Sequence, residues 1–65
     1  MNFTEAMIAV RDGSMVARED WDDKEAHVTL VKDHLQIIKT NDKYRPWSIM
    51  TDDMEATDWE IVVRQ

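Results

Sequence analysis

The sequence predicts one small α+β domain over residues 1–65: an N-terminal helix packed on an antiparallel β-sheet, with a short second helix, assembling as a homo-oligomer. Three observations predict it. Apolar residues near the start recur at helical spacing and end at the chain's single glycine, Gly13. From Ser14 onward, alternating two-residue patterns take over. Finally, 65 residues without cysteine cannot be stapled by disulfides, and small chains lacking a large core lean on disulfides, metals or partner subunits.

Thr4 is placed to cap a helix over Glu5 to Asp12, with Phe3 before it and Ile8 at the spacing of a hydrophobic staple. Glu5 suits the positive end of the helix dipole, and Gly13 suits the left-handed residue that ends a helix. Met7 and Val10 share one face with Ala6. Ile8 lies off that stripe and should meet a neighbouring element or subunit. Ser14 to Arg18 reads as a short strand, followed by the charged loop Glu19 to Glu25, which carries Trp21. Ala26 to Lys32 alternates with a period of two, Asp33-His34 forms a tight connection, and Leu35 to Thr40 is a second β-rich run, so the pair predicts a hairpin. Asn41-Asp42-Lys43 is a turn signal. Pro46 marks Tyr44 to Ile49 as an edge strand or loop, Thr51 can cap one helical turn through Ala56, and Trp59 to Val63 closes the chain as a strand.

The chain carries 14 acidic and 8 basic residues, a net charge of −6. Phosphate contacts dominate binding to nucleic-acid polymers, so neither DNA nor RNA is an expected partner. No apolar run reaches the roughly 20 residues of a membrane span, and the first residues carry neither a basic stretch nor an apolar signal segment. The absence of cysteine fits a reducing compartment. Charge is unevenly spread. Residues 1–31 and 51–65 each sum to −4, whereas residues 32–50, with Lys32, Lys39, Lys43 and Arg45, sum to +2 and form the best region for anion contact.

Trp21, among charged neighbours, can stack on a nucleobase, or it can fold back onto the sheet or seal a subunit interface. Trp47 is placed to line the same pocket, and Trp59 is read as core. Thr51, Asp52 and Asp58 can accept hydrogen bonds from sugar hydroxyls or base amines, or they can simply form a solvated acidic edge. Asp22-Asp23-Lys24 has an acid-x-Lys spacing seen in metal-dependent nucleases, but a chain this size offers little of the shaped cavity such chemistry needs. Asp20-x-Asp22 lacks the glycine and distal glutamate of a calcium loop. His27 and His34 have no third ligand at suggestive spacing, and a single glycine argues against a phosphate-cradling loop. No catalytic residue, metal or cofactor is expected.

Two segments together resemble the Thoeris anti-defence 2 family of phage proteins. The first is Phe3-Thr4-Glu5-Ala6 through Gly13 to Val16-Ala17-Arg18, with Trp21 and Lys24. The second is Pro46-Trp47 through Asp53-Met54-Glu55-Ala56-Thr57-Asp58-Trp59-Glu60-Ile61-Val62-Val63. The resemblance implies a small α+β protomer in a homotetramer that binds cyclic nucleotide immune signals between subunits without cleaving them. Those signals are cyclic oligonucleotides of CBASS type or cyclic ADP-ribose derivatives of Thoeris type, met in the cytoplasm of the infected bacterial host. On this reading Arg18, Lys24, Lys43 or Arg45 neutralises phosphates, and Trp21 or Trp47 stacks on a base. Where the family usually carries Gly-Trp-Asn-Gly-Lys, this chain reads Asp20-Trp21-Asp22-Asp23-Lys24. That change points to a different ligand or to a site shifted towards Lys39, Lys43 and Arg45. The alternative is an acidic inhibitor that binds a host defence protein by mimicking nucleic-acid charge.

Overall fold

A computed structural model describes residues 1–39 and 43–63, so the Asn41-Asp42 part of the expected turn lies outside the described residues. The elements are α1 (Phe3–Arg11), β1 (Met15–Arg18), β2 (His27–Val31), β3 (His34–Ile38), β4 (Arg45–Pro46), α2 (Thr51–Glu55) and β5 (Trp59–Val62). The strands form one antiparallel sheet in the order β4-β3-β2-β1-β5. The α+β order expected from the sequence is therefore present.

Helix α1 starts two residues before the expected point. Asn2, not Thr4, is the cap: Asn2 Oδ1 accepts the Glu5 N–H at 2.8 Å, and Glu5 Oε1 accepts the Asn2 N–H at 2.9 Å. Such a reciprocal box needs Glu or Gln three residues after the cap. Glu5 fills that place for Asn2, whereas Met7 would stand there for Thr4. The earlier start also changes what Phe3 does. Instead of stapling to Ile8, it packs against Trp47 and Trp59, with ring centroids 6.3 and 6.1 Å away. Ile8 is left 51% exposed.

At the other end Gly13 takes φ +100°. The Gly13 N–H donates to Val10 O and the Ser14 N–H to Ala9 O, which satisfies two carbonyls of the last turn and fixes the exit towards β1. Ala6 and Val10, one turn apart, lay the buried face of α1 on Val16 and Val28, and Trp59 completes the core.

The hairpin turn sits one residue earlier than expected. Lys32 and Asp33 both have positive φ, 51° and 66°, as a two-residue hairpin turn of the primed type requires. His34 is thus the first residue of β3, paired with Val31. This register sets Leu30 opposite Leu35 and Val28 opposite Ile37, all on the face that meets α1. A one-residue slip would turn that row away from the core. Pro46, which has no N–H to donate, stands in the edge strand β4.

Helix α2 also departs from expectation at its start. Thr51 is its first helical residue and is exposed; Met50 occupies the cap position, and Asp53 Oδ2 accepts the Met50 N–H at 3.2 Å. The capping oxygen therefore comes from inside the first turn, because Asp53 is already held there by the Trp59 region described below.

These caps lead to a direct comparison. Asn2→Ala should lower the unfolding free energy by about 1 kcal/mol. Thr4→Ala, on the exposed side of α1, should change it by less than about 0.5 kcal/mol. Urea denaturation of both variants checks the assignment.

Candidate functional site

Trp59 is 2% exposed and opens β5. Its indole N–H donates to the Asp53 carbonyl at 3.0 Å, which resolves the one polar demand of an otherwise apolar side chain. Trp21 and Trp47 meet it edge-on, with centroids at 5.5 and 5.8 Å and both interplanar angles at 78°. Both rings are half-buried. Trp59 is thus the base of an aromatic cluster whose two outer members still face solvent. The sequence reading of Trp59 as core agrees with this position.

Trp21 and Trp47 line one open cleft of about 520 Å³, within the usual range of roughly 300–1,000 Å³ for ligand pockets. Asp22 and Asp23 of the β1–β2 loop, Asp53 of α2 and Lys39 after β3 share its lining, and Ala26 and Ile37 supply apolar surface. The sheet register explains why such distant residues converge. β1 ends at Arg18, β2 begins at His27 opposite Ile38, and Arg45 pairs with Ile37, so all these segments meet at the same end of the sheet. A smaller cleft of about 140 Å³ adjoins it, lined by Ile37, Lys39, Lys43, Arg45 and Pro46. Lys39 and Ile37 belong to both.

Arg18 has a different setting. Its Nε donates to Asp58 Oδ1 at 3.0 Å and its Nη1 to Asp53 Oδ1 at 3.2 Å, while Asp20 lies 3.9 Å from Nη2. The side chain is 15% exposed, so these contacts are only partly screened. The hydrogen bond that Arg18 donates to Asp58 leads the effects that raise the Arg18 pKa. Burial pushes the Asp58 carboxyl up, but the Asp20 N–H and the Arg18 guanidinium more than offset it and hold the group below its ordinary value. Arg18 therefore joins β1, α2 and the residue before β5 within the protomer.

The remaining residues singled out in the sequence are dispersed. Lys24 Nζ donates to the Glu19 carbonyl at 2.6 Å and lines, with Arg18, Ile61 and Val63, another cleft of about 670 Å³ along β5, which shares Asp23 and Ala26 with the Trp cleft. Lys43 and Arg45 lie on the smaller cleft, and Thr51 and Asp52 are exposed on α2. Three acids of the Trp cleft, Asp22, Asp23 and Asp53, are not among the binding residues expected from the sequence. Asp53 looks like one more acid at a helix start, and only its fit to the reciprocal pattern with residue 50 marks it out. Asp23 looks like part of a solvated charge run, yet its Oδ1 accepts the Glu25 N–H at 3.0 Å, which shapes the loop.

His27 is buried, with Nδ1 3.1 Å from the Glu25 carbonyl oxygen and Nε2 3.4 Å from the Tyr44 hydroxyl. Among the described residues no group of three or more His, Cys, Asp or Glu side chains is placed to hold a metal ion. Nor is any helix among them long and apolar enough to cross a membrane.

Fold and cleft together define a minimal α+β domain with a tryptophan-walled cleft at one end of its sheet. No curated protein matches the chain. The profile of one family, described as the Thoeris anti-defense 2-like domain, matches residues 1–62, and the chain belongs to that family. Membership points to a role in phage anti-defence.

The Arg18 network predicts a pH effect of known sign. A carboxyl whose pKa is depressed by folding adds stability above its unfolded value, and that stability is lost as pH falls through the folded value. For Asp58 the loss should begin near its ordinary value of 3.8 and continue below it. Asp58→Asn should therefore be less stable than the parent at pH 7, with the gap closing as pH is lowered from 4 to 2.5. Urea midpoints across that range measure it.

Proposed function

We propose that this protein is a phage-encoded sponge that binds a cyclic nucleotide immune signal and holds it without cleaving it. The signal is a cyclic oligonucleotide of CBASS type or a cyclic ADP-ribose derivative of Thoeris type, captured in the cytoplasm of the infected bacterial host. One observation carries the reading: Trp21 and Trp47 stand on a single cleft, and Lys39 joins that cleft to the shelf of Lys43 and Arg45. Aromatic walls with a cationic margin match the two chemical parts of a nucleotide, the stacking base and the phosphate. Membership of an anti-defence family supports the biological setting.

Binding, not catalysis, is the proposed action. A catalytic site pairs a nucleophile or general base with a partner that orients it. The histidine best held in this fold, His27, faces a carbonyl and a tyrosine hydroxyl rather than the Trp cleft. Assembly as a homotetramer is part of the same proposal. Ile8, Ile61 and Val63 are at least half exposed on the protomer. The sheet face opposite α1 carries Met15, Ala17, Ile38 and Val62 by strand alternation. Arg18 and Lys24, set apart from the Trp cleft by their own contacts, would then act in holding the loop and the subunit edge.

The test is depletion and recovery. Protein is mixed with a panel of cyclic di- and trinucleotides and cyclic ADP-ribose isomers, filtered, and then heat-denatured, with both fractions resolved by HPLC. The expected result is loss of one signal from the filtrate and its intact return on denaturation. A new product would make the protein an enzyme, and no depletion would redirect the search to a basic host protein bound by the acidic surface. For the signal that binds, Trp21→Ala and Trp47→Ala should each weaken affinity by about 1–3 kcal/mol, measured by titration calorimetry. Light scattering on the same samples should give the mass of four chains.

A further inference from the structure

The Trp cleft carries opposite charges at its two sides, and the sheet register fixes which is which. Asp22 and Asp23 enter from the β1–β2 loop and Asp53 from α2. Lys39 follows β3 on the side of β4, where it continues into the shelf of Lys43 and Arg45. A phosphate placed against Asp22 and Asp23 would meet like charge, so it belongs at the Lys39 side. That leaves the ring system between Trp21 and Trp47 with its edge turned towards the carboxylates.

An ionised carboxylate only accepts hydrogen bonds, at about four lone-pair sites. Asp53 already takes Arg18 on one oxygen and the Met50 N–H on the other, and Asp23 takes the Glu25 N–H. Asp22, exposed in the loop, keeps acceptor sites on the cleft that it lines. A base edge facing them must therefore donate. Adenine, guanine and cytosine each offer an exocyclic amine, and donation to a carboxylate is roughly twice as strong as a neutral pair. Uracil has a single ring N–H between two carbonyl oxygens, which would point acceptors at acceptors.

We propose that this cleft selects nucleotide signals by base: those with an amine-bearing base are held, uridine-based ones are rejected, and Asp22 and Asp23 determine the choice. The inference rests on the nucleotide-sponge reading and goes further by naming the ligand edge that is read. It assigns the aromatic walls to affinity and the loop carboxylates to discrimination.

Three cyclic homodinucleotides, built from adenosine, guanosine and uridine, separate the outcomes when titrated at one fixed salt concentration beside cyclic ADP-ribose. The uridine compound is expected to bind at least about tenfold more weakly than the better of the two purine compounds, since sites that hydrogen-bond a substrate group reject analogues lacking it. Asp22→Asn and Asp23→Asn give the loop an amide that both donates and accepts, and Asn keeps an acceptor for the Glu25 N–H. At least one of them should narrow the discrimination to about threefold or less, with binding of the uridine compound rising and the melting temperature unchanged. Equal binding of all three dinucleotides by the parent overturns the inference and leaves the sponge reading standing. So does discrimination that persists in both variants. Failure of these compounds and of the whole depletion panel to bind overturns the sponge reading, and this inference with it.

Discussion

The buried indole of Trp59 is the constraint on which the rest of the molecule depends. An apolar ring system of that size fills the core of a very small protein, but its N–H must find an acceptor. It finds one in the carbonyl of Asp53, six residues earlier in the chain, and so draws α2 against the sheet. The Asp53 side chain then starts that helix by accepting the Met50 N–H and takes up Arg18 from β1. Trp21 and Trp47 lean edge-on against the same indole. Core, second helix and cleft are therefore one arrangement.

Seen this way, the acidic composition has two parts. Asp53 and Asp58 are structural: they neutralise Arg18 and satisfy backbone donors, and burial alone would be unfavourable without those partners. Asp22 and Asp23 line the cleft. A net charge of −6 would suit a surface that repels polyanions, yet the basic segment at residues 32–50 ends beside the aromatic walls. Sign and position, more than the total, decide what such a surface can hold.

Much of the fold could be read from the sequence because its signals are local. Gly13, the β alternation from Ala26 to Lys32 and Pro46 each impose a backbone choice irrespective of what lies across the molecule, and each element expected from them is present. Boundaries were less legible where two residues competed for one role. Asn2 displaced Thr4 because only Asn2 has a glutamate three residues on. The turn fell on Lys32-Asp33 because the register that packs Leu30, Leu35 and Ile37 against the core demands it. For the cleft, proximity of Trp21 and Trp47 was legible as two aromatics outside regular strands. The engagement of Arg18 with Asp53 and Asp58 was not, since it depends on pairing β1 with a strand 40 residues away in sequence.

That same pairing governs the order in which the molecule can assemble. The β2–β3 hairpin closes across two residues and is entropically cheap, whereas Arg18 meets Trp59 only after most of the chain has been looped round. The indole beneath the cleft arrives with that closure, although the residues that line the cleft all come earlier in the chain. A chain interrupted before its last strand would lack Trp59, the ring against which Trp21 and Trp47 pack. Opening at β5 would withdraw Trp59 from beneath both outer indoles, so the shape of the cleft depends on a strand that contributes nothing to its lining.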